Sequence, residues 1–206
     1  FGKKEFFMEV FADSRRNKSL ADEYTAAFAK ARKEWKDRFT DEISDAFNEK
    51  PKDVALYRID NMGLRHTNPD LIYSTQFTME GWIKRGGNNY IVDIGKLIGS
   101  QLQLKPSQIE RNVDVYMPCA RTFEYNIDFE VPQGYKAEGI EKLVINKTNE
   151  TGSFIADVKQ EGNIIRLKVT KIYANSFERA GKWPRLIEII NAANDFQSSK
   201  ILLRKG

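Results

Sequence analysis

Thr122-Phe123-Glu124-Tyr125-Asn126-Ile127-Asp128-Phe129-Glu130-Val131 decides the fold. Apolar and polar residues alternate strictly through it. Successive side chains of a strand point to opposite faces, so this stretch buries one face and wets the other. Working outward, Pro132-Gln133-Gly134-Tyr135 is a turn, and residues 142–147, 153–160 and 164–173 read as three further strands. Glu161-Gly162-Asn163 joins the last two as a hairpin. Upstream, Val113, Val115 and Met117 alternate with polar neighbours, residues 71–82 are rich in Thr, Tyr, Phe, Ile and Trp, and 54–59 and 90–94 are short strands. Gly86-Gly87-Asn88-Asn89 is a turn between β segments.

Two stretches switch period from two to 3.6. Leu20, Tyr24, Phe28, Ala31, Trp35, Phe39, Ile43 and Phe47 form one apolar stripe, opened by Ser19 with Asp22 and closed by Asn48 to Pro51. Leu186, Ile189, Ile190, Ala193 and Phe196 form a second stripe behind Pro184, which suits a first helical turn. Residues 4–12 alternate as a strand apolar on both faces, and Ile201-Leu202-Leu203 reads as a closing strand. The expected fold is α+β: an antiparallel β-sandwich with a long N-terminal amphipathic helix and a short C-terminal helix packed on it. It is read as one β-rich domain over 1–206, with a strand and long helix in 1–50, sandwich strands in 51–183, and helix and closing strand in 184–206.

Composition narrows the chemistry. The 206 residues carry a net charge of +4, 41% hydrophobic and 30% charged residues, an ordinary globular balance. Bases and acids interleave, as in Lys30-Ala31-Arg32-Lys33-Glu34, whereas nucleic-acid binding gathers basic charge on one face, so no nucleic-acid partner is expected. No apolar run reaches the roughly 18–20 residues of a membrane span. The start, Phe1-Gly2-Lys3-Lys4, reads as a segment of a longer polypeptide. One cysteine and one histidine make neither an internal disulfide nor an ordinary zinc site, and they leave the compartment open.

Candidate sites are few. Cys119 and His66 would have to meet as nucleophile and base, but Cys119 falls between strands with no helix start beside it, and His66 lies in a turn-rich loop. Gly86-Gly87 and Gly95-Lys96 have the wrong spacing for a phosphate loop, and Leu97 stands where Ser or Thr is needed. Glu124, Asp128 and Glu130 share a wet strand face, where only Asp128 and Glu130 approach a common cation. Asn146 and Asn149 head glycosylation-type triplets. Trp82, Tyr90 and Trp183 are the aromatics to test as ligand-stacking surfaces, against the alternative that large rings fill the core. No catalytic residue, metal ligand or cofactor is expected.

From Tyr90 onward the chain resembles the C-terminal β-rich domain of bacterial transglutaminase-like cell-envelope proteins. The resemblance is carried by Asp93-Ile94-Gly95-Lys96-Leu97-Ile98-Gly99, by Tyr116-Met117-Pro118-Cys119-Ala120-Arg121-Thr122-Phe123-Glu124-Tyr125, and by Lys171-Ile172-Tyr173. Its most specific parts are Trp183-Pro184, Ala192-Ala193-Asn194-Asp195-Phe196 and Lys200-Ile201-Leu202-Leu203. It implies an envelope or periplasmic location and a papain-like core upstream, whose Cys, His and Asp have no counterparts here. It implies a non-catalytic accessory domain that stabilises or positions that core, its partner in the same polypeptide. The alternative is a glycan- or peptide-binding module of the envelope.

Overall fold

The computed structural model describes residues 18–63, 67 and 70–206. The strand expected over 4–12, the side chains of Leu20, Tyr24 and Phe28, and His66 lie outside the described residues. The fold is α+β with antiparallel sheets throughout. It divides into two compact units, one of residues up to Asp45 with Glu49–Met79, the other of Ala46–Asn48 with Glu80–Gly206.

The first unit holds most of helix α1 (Lys18–Phe47) and the pair β1 (Asp53–Met62) and β2 (Leu71–Thr78). The stripe at four-residue spacing does what amphipathic helices do: Phe39 and Ile43 are buried and Trp35 half-buried. The Phe39 ring packs 5.8 Å from Tyr57 of β1 and 5.4 Å, edge-on, from Tyr73 of β2. Tyr57 Oη donates to the Arg32 carbonyl at 2.9 Å, and Lys36 pairs with Asp53 at 3.0 Å. The helix stops at Asn48, whose φ of 53° is the left-handed turn that ends helices.

Within the region 71–82 the strand occupies only Leu71–Thr78. β2 ends at Thr78 and β3 (Ile83–Gly86) begins beyond Gly81, whose φ of 79° breaks the extended backbone. β3 then turns at Gly87 and Asn88 into β4 (Asn89–Val92), the hairpin that the glycine–asparagine run predicts.

The second unit contains β5 (Val115–Tyr116), β6 (Arg121–Glu130), β7 (Tyr135–Glu138), β8 (Ile145–Asn149), β9 (Gly152–Glu161), β10 (Ile164–Tyr173), β11 (Phe177–Glu178), helix α2 (Trp183–Gln197) and β12 (Ile201–Lys205). One four-stranded sheet has the order β6-β10-β9-β8, the other β3-β4-β12-β7, and β5 pairs with β11. The alternation in β6 appears as half-buried Phe123, Tyr125, Ile127 and Phe129 between exposed neighbours. Both large sheets and α2 contribute to one core: Phe154, Ile165, Val169, Ile189 and Phe196 are all fully buried, joined by Val92 and Leu203. The Phe154 and Phe196 rings lie 5.6 Å apart. Burying one such ring stabilises the fold by about 1.5–3 kcal/mol.

One close approach ties the segment after β4 to the end of α2. A short 3-10 helix, Ile94–Ile98, follows Asp93, and the Gly95 amide donates to the Ser199 carbonyl at 3.0 Å. A Cβ on Gly95 would sit 2.0 Å from the Phe196 carbonyl oxygen, so only glycine fits. Asp93, 6% exposed, receives the Lys200 ammonium at 2.5 Å.

Candidate functional site

The three aromatics singled out by sequence do not meet. Trp82 is half-buried, packs 5.3 Å from Phe47 and lies beneath Lys96. Tyr90 leans on the core of the second unit and packs 5.4 Å from Tyr135. Trp183 is 6% exposed, which corrects the expectation of a stacking surface there: the ring is a wall, not a platform. Cys119 is exposed. On the wet face of β6, Asp128 sits 3.5 Å from Arg166 and Glu130 accepts from Asn163 at 3.2 Å. Asn149 is engaged at both ends of its amide, donating to the Arg185 carbonyl and accepting from Thr151. Among the described residues no group of His, Cys, Asp and Glu is arranged to hold a metal ion.

The feature that does gather chemistry is a cleft of about 570 Å³ in the second unit. Its origin lies in the pairing of β6 with β10. The register places Arg121 opposite Tyr173 and Phe123 opposite Lys171. Residues two apart share a face, so these four side chains form one tile at the end of the inward rows. The Lys171 ammonium lies 4.6 Å from the Phe123 ring centre and 5.6 Å from that of Tyr173. The Arg121 guanidinium lies 6.0 Å from the Tyr173 ring, and the two rings meet edge-on at 6.5 Å.

Lys171 is the unusual member. Along β10 the inward row runs Ile165, Leu167, Val169, Lys171, so an ammonium occupies a core position, only 8% exposed. Among the described residues its side-chain hydrogen bond is to Gln101 Oε1 at 2.6 Å. That amide is held in orientation: Gln101 Nε2 donates to the carbonyls of Ile98 and Gly99, and the Gln101 backbone N–H donates to Gln197 Oε1. The seat that Gly95 fixes against α2 therefore also positions the acceptor for Lys171. Burial, with the Arg121 charge adding to it, lowers the Lys171 pKa from 10.5 to about 8. Burial raises the Tyr173 and Tyr125 hydroxyls in turn.

The opposite wall is apolar. Trp183, Leu186 and Ile190 of α2 form a small buried cluster with Leu104, Val115 and Tyr173. Trp183 Nε1 donates to the carbonyls of Gln108 and Ile109, both at 3.0 Å, fastening the segment between β4 and β5 to α2. Arg111 lies 5.4 Å over the same indole and donates to the carbonyls of Val113 and Asp114. Glu110 is the carboxylate among the residues lining the cleft. Among the described residues no carboxylate forms an ion pair with Lys171, Arg121 or Arg111. The cleft thus joins apolar walls to a cationic end. Of the residues that line it, Leu102 is an exposed apolar side chain.

Sequence reasoning missed Lys171, Arg121 and Gln101. The signal for Lys171 was present as a charged residue at the fourth inward position of an otherwise apolar row. Gln101 carried none, because its partner lies 70 residues away.

Residues 90–203 match the family described as "Domain of Unknown Function with solved-structure structure (DUF3858)". No curated protein and no solved structure matches the chain.

Proposed function

The chain belongs to the DUF3858 family, and we propose that it is a non-catalytic accessory module whose cleft docks a segment of polypeptide. The observation that carries this reading is the cleft itself: apolar walls from Trp183, Leu186 and Ile190, a cationic end at Lys171 and Arg121, and exposed Leu102 among its lining. A concave, largely apolar site with a few polar groups at one end suits a ligand that is apolar along its length and polar at one point. In the arrangement that the resemblance implies, the segment belongs to a transglutaminase-like core preceding this domain in an envelope polypeptide. Docking there stabilises or positions that core. The catalytic groups belong to the core, and this domain contributes none. A glycan ligand is less well supported in this cleft, because stacking wants an exposed flat ring and the indole that lines the cleft, Trp183, is buried.

The test is the parent polypeptide expressed in three forms: intact, lacking residues 90–206, and carrying Tyr173→Ala with Arg121→Ala. The intact protein is expected to be the most soluble and the most resistant to limited proteolysis of its core, with the double variant moving toward the deletion. Equal solubility, activity and proteolysis in all three would overturn the accessory role.

A further inference from the structure

Resting on that docking reading, we infer that the cleft recognises a glutamate side chain flanked by apolar residues, its carboxylate seated between Lys171 and Arg121. Two cations converge at the end of the cleft, one of them at a core position, and no carboxylate of the described residues neutralises them. Lys171 is the buried member of the pair, and an ammonium that faces, among the described residues, a neutral amide oxygen and two ring faces with a second cation beside it is under-compensated. An entering carboxylate reverses both deficits, since charge-assisted hydrogen bonds strengthen where water is excluded. The ring faces of Phe123 and Tyr173 are negative and hold the cations in place, yet they leave N–H donors for a true acceptor.

Reach decides which acid. Lys171 is 8% exposed, so the carboxylate must arrive on a stem that crosses the apolar part of the cleft. Glutamate carries one methylene more than aspartate for that purpose. Its apolar neighbours then rest on Leu104, Val115 and Leu186, and on exposed Leu102. Glu110 guards the mouth with like charge, which disfavours polyacidic segments and selects a single acid in an apolar setting.

The probe is a blocked pentapeptide, acetyl-Leu-Phe-Glu-Leu-Phe-amide, titrated into the 206-residue chain at pH 7 and followed by amide chemical shifts and calorimetry. Its Gln and Asp counterparts are measured beside it. The Glu peptide is expected to bind at least about tenfold more tightly than the Gln peptide, as for one charge-assisted contact. The same step should vanish in Lys171→Gln, which keeps a group able to bond Gln101, and shrink in Arg121→Gln at the exposed mouth. If Glu and Gln peptides bind the cleft equally, carboxylate recognition is overturned while docking stands. If the Asp peptide equals the Glu peptide, the stem argument is overturned. If no peptide shifts the cleft resonances, the inference fails, and the docking reading is then decided separately by the deletion experiment on the parent.

Discussion

The two ends of strand β10 present the same face to the inside of the second unit and meet different fates. At one end Ile165, Leu167 and Val169 are no more than 2% exposed and lie in the core shared with residues of α2, β4 and β12. At the other, Lys171 is nearly as buried, yet it and Tyr173 border a cleft. Burial alone therefore does not distinguish core from site. The difference is what each end borders: the first lies wholly within the shared core, whereas Lys171, although Phe154 of β9 stands opposite it, borders a cleft lined by an apolar segment pinned through Trp183. A dry core tolerates no charge without compensation, whereas the cleft end keeps one because solvent or a ligand can reach it.

The comparison can be broken most severely in the shared core. Phe196→Ala should cost about 3–5 kcal/mol in urea unfolding, since the ring is fully buried and its neighbours cannot collapse fully into the void. A loss below about 1 kcal/mol would mean that the core is not the rigid part. Gly95→Ala comes next, at roughly 1–3 kcal/mol, because its Cβ must displace the Phe196 carbonyl. It joins the two ends, so hydrogen exchange should quicken both in α2 and around Gln101.

Trp183→Phe acts on the cleft end. It keeps the apolar wall but leaves the carbonyls of Gln108 and Ile109 without their donor, for a loss of about 1–2 kcal/mol. Exchange should rise over residues 104–111 and stay unchanged in β9. A uniform rise would erase the distinction between the ends.

Lys171→Met sharpens it through pH. The Lys171 amine faces Arg121 and Tyr173 at the strand ends, Gln101 from the preceding loop and Tyr125 along β6. Its folded pKa is lowered, so above about pH 8 the folded chain releases this proton while the unfolded chain still binds it. Stability contributed by this position consequently rises between about pH 8 and 10.5. The gap between wild type and Lys171→Met should move in favour of wild type across that window, on the order of 1 kcal/mol after solvent screening at the open mouth. A flat difference would show that Lys171 is not desolvated. The smallest effect belongs to Glu138→Gln, whose exposed pair with Arg204 at 3.1 Å should alter stability by less than about 0.5 kcal/mol.

Much of the architecture was legible in local pattern. Alternation over 122–131 gave β6 its inward face, the glycines at 87 and 162 sit in hairpin turns, and the stripe behind Pro184 became α2. These features depend on neighbours in sequence. Gly81 was less transparent, because one glycine inside a β-rich run is compatible with a bulge, a bend or a strand end. The cleft was illegible for a different reason. Gln101, Arg121, Lys171 and Trp183 converge only through sheet register and the docking of α2, and no periodicity reports that. Trp183 misled in particular: a large ring ahead of a proline looks available, but its N–H is spent on two backbone carbonyls and its face on Leu186 and Ile190.

The place of β12 in its sheet has a kinetic consequence. It lies between β4 and β7, with Ile201 opposite Val92 and Leu203 opposite both Tyr90 and Ala137. Neither of those earlier strands pairs with the other, so β4 keeps one edge open and β7 has no strand partner until residues beyond 200 have been synthesised and brought back. Closing so long a loop is entropically slow, and open strand edges are the surfaces on which chains aggregate. The β6-β10-β9-β8 sheet, built mainly from hairpins and one longer return, can assemble first and offer α2 a surface, which carries β12 into its slot. A chain ending before residue 200 would therefore hold one finished sheet and only the β3-β4 hairpin of the other.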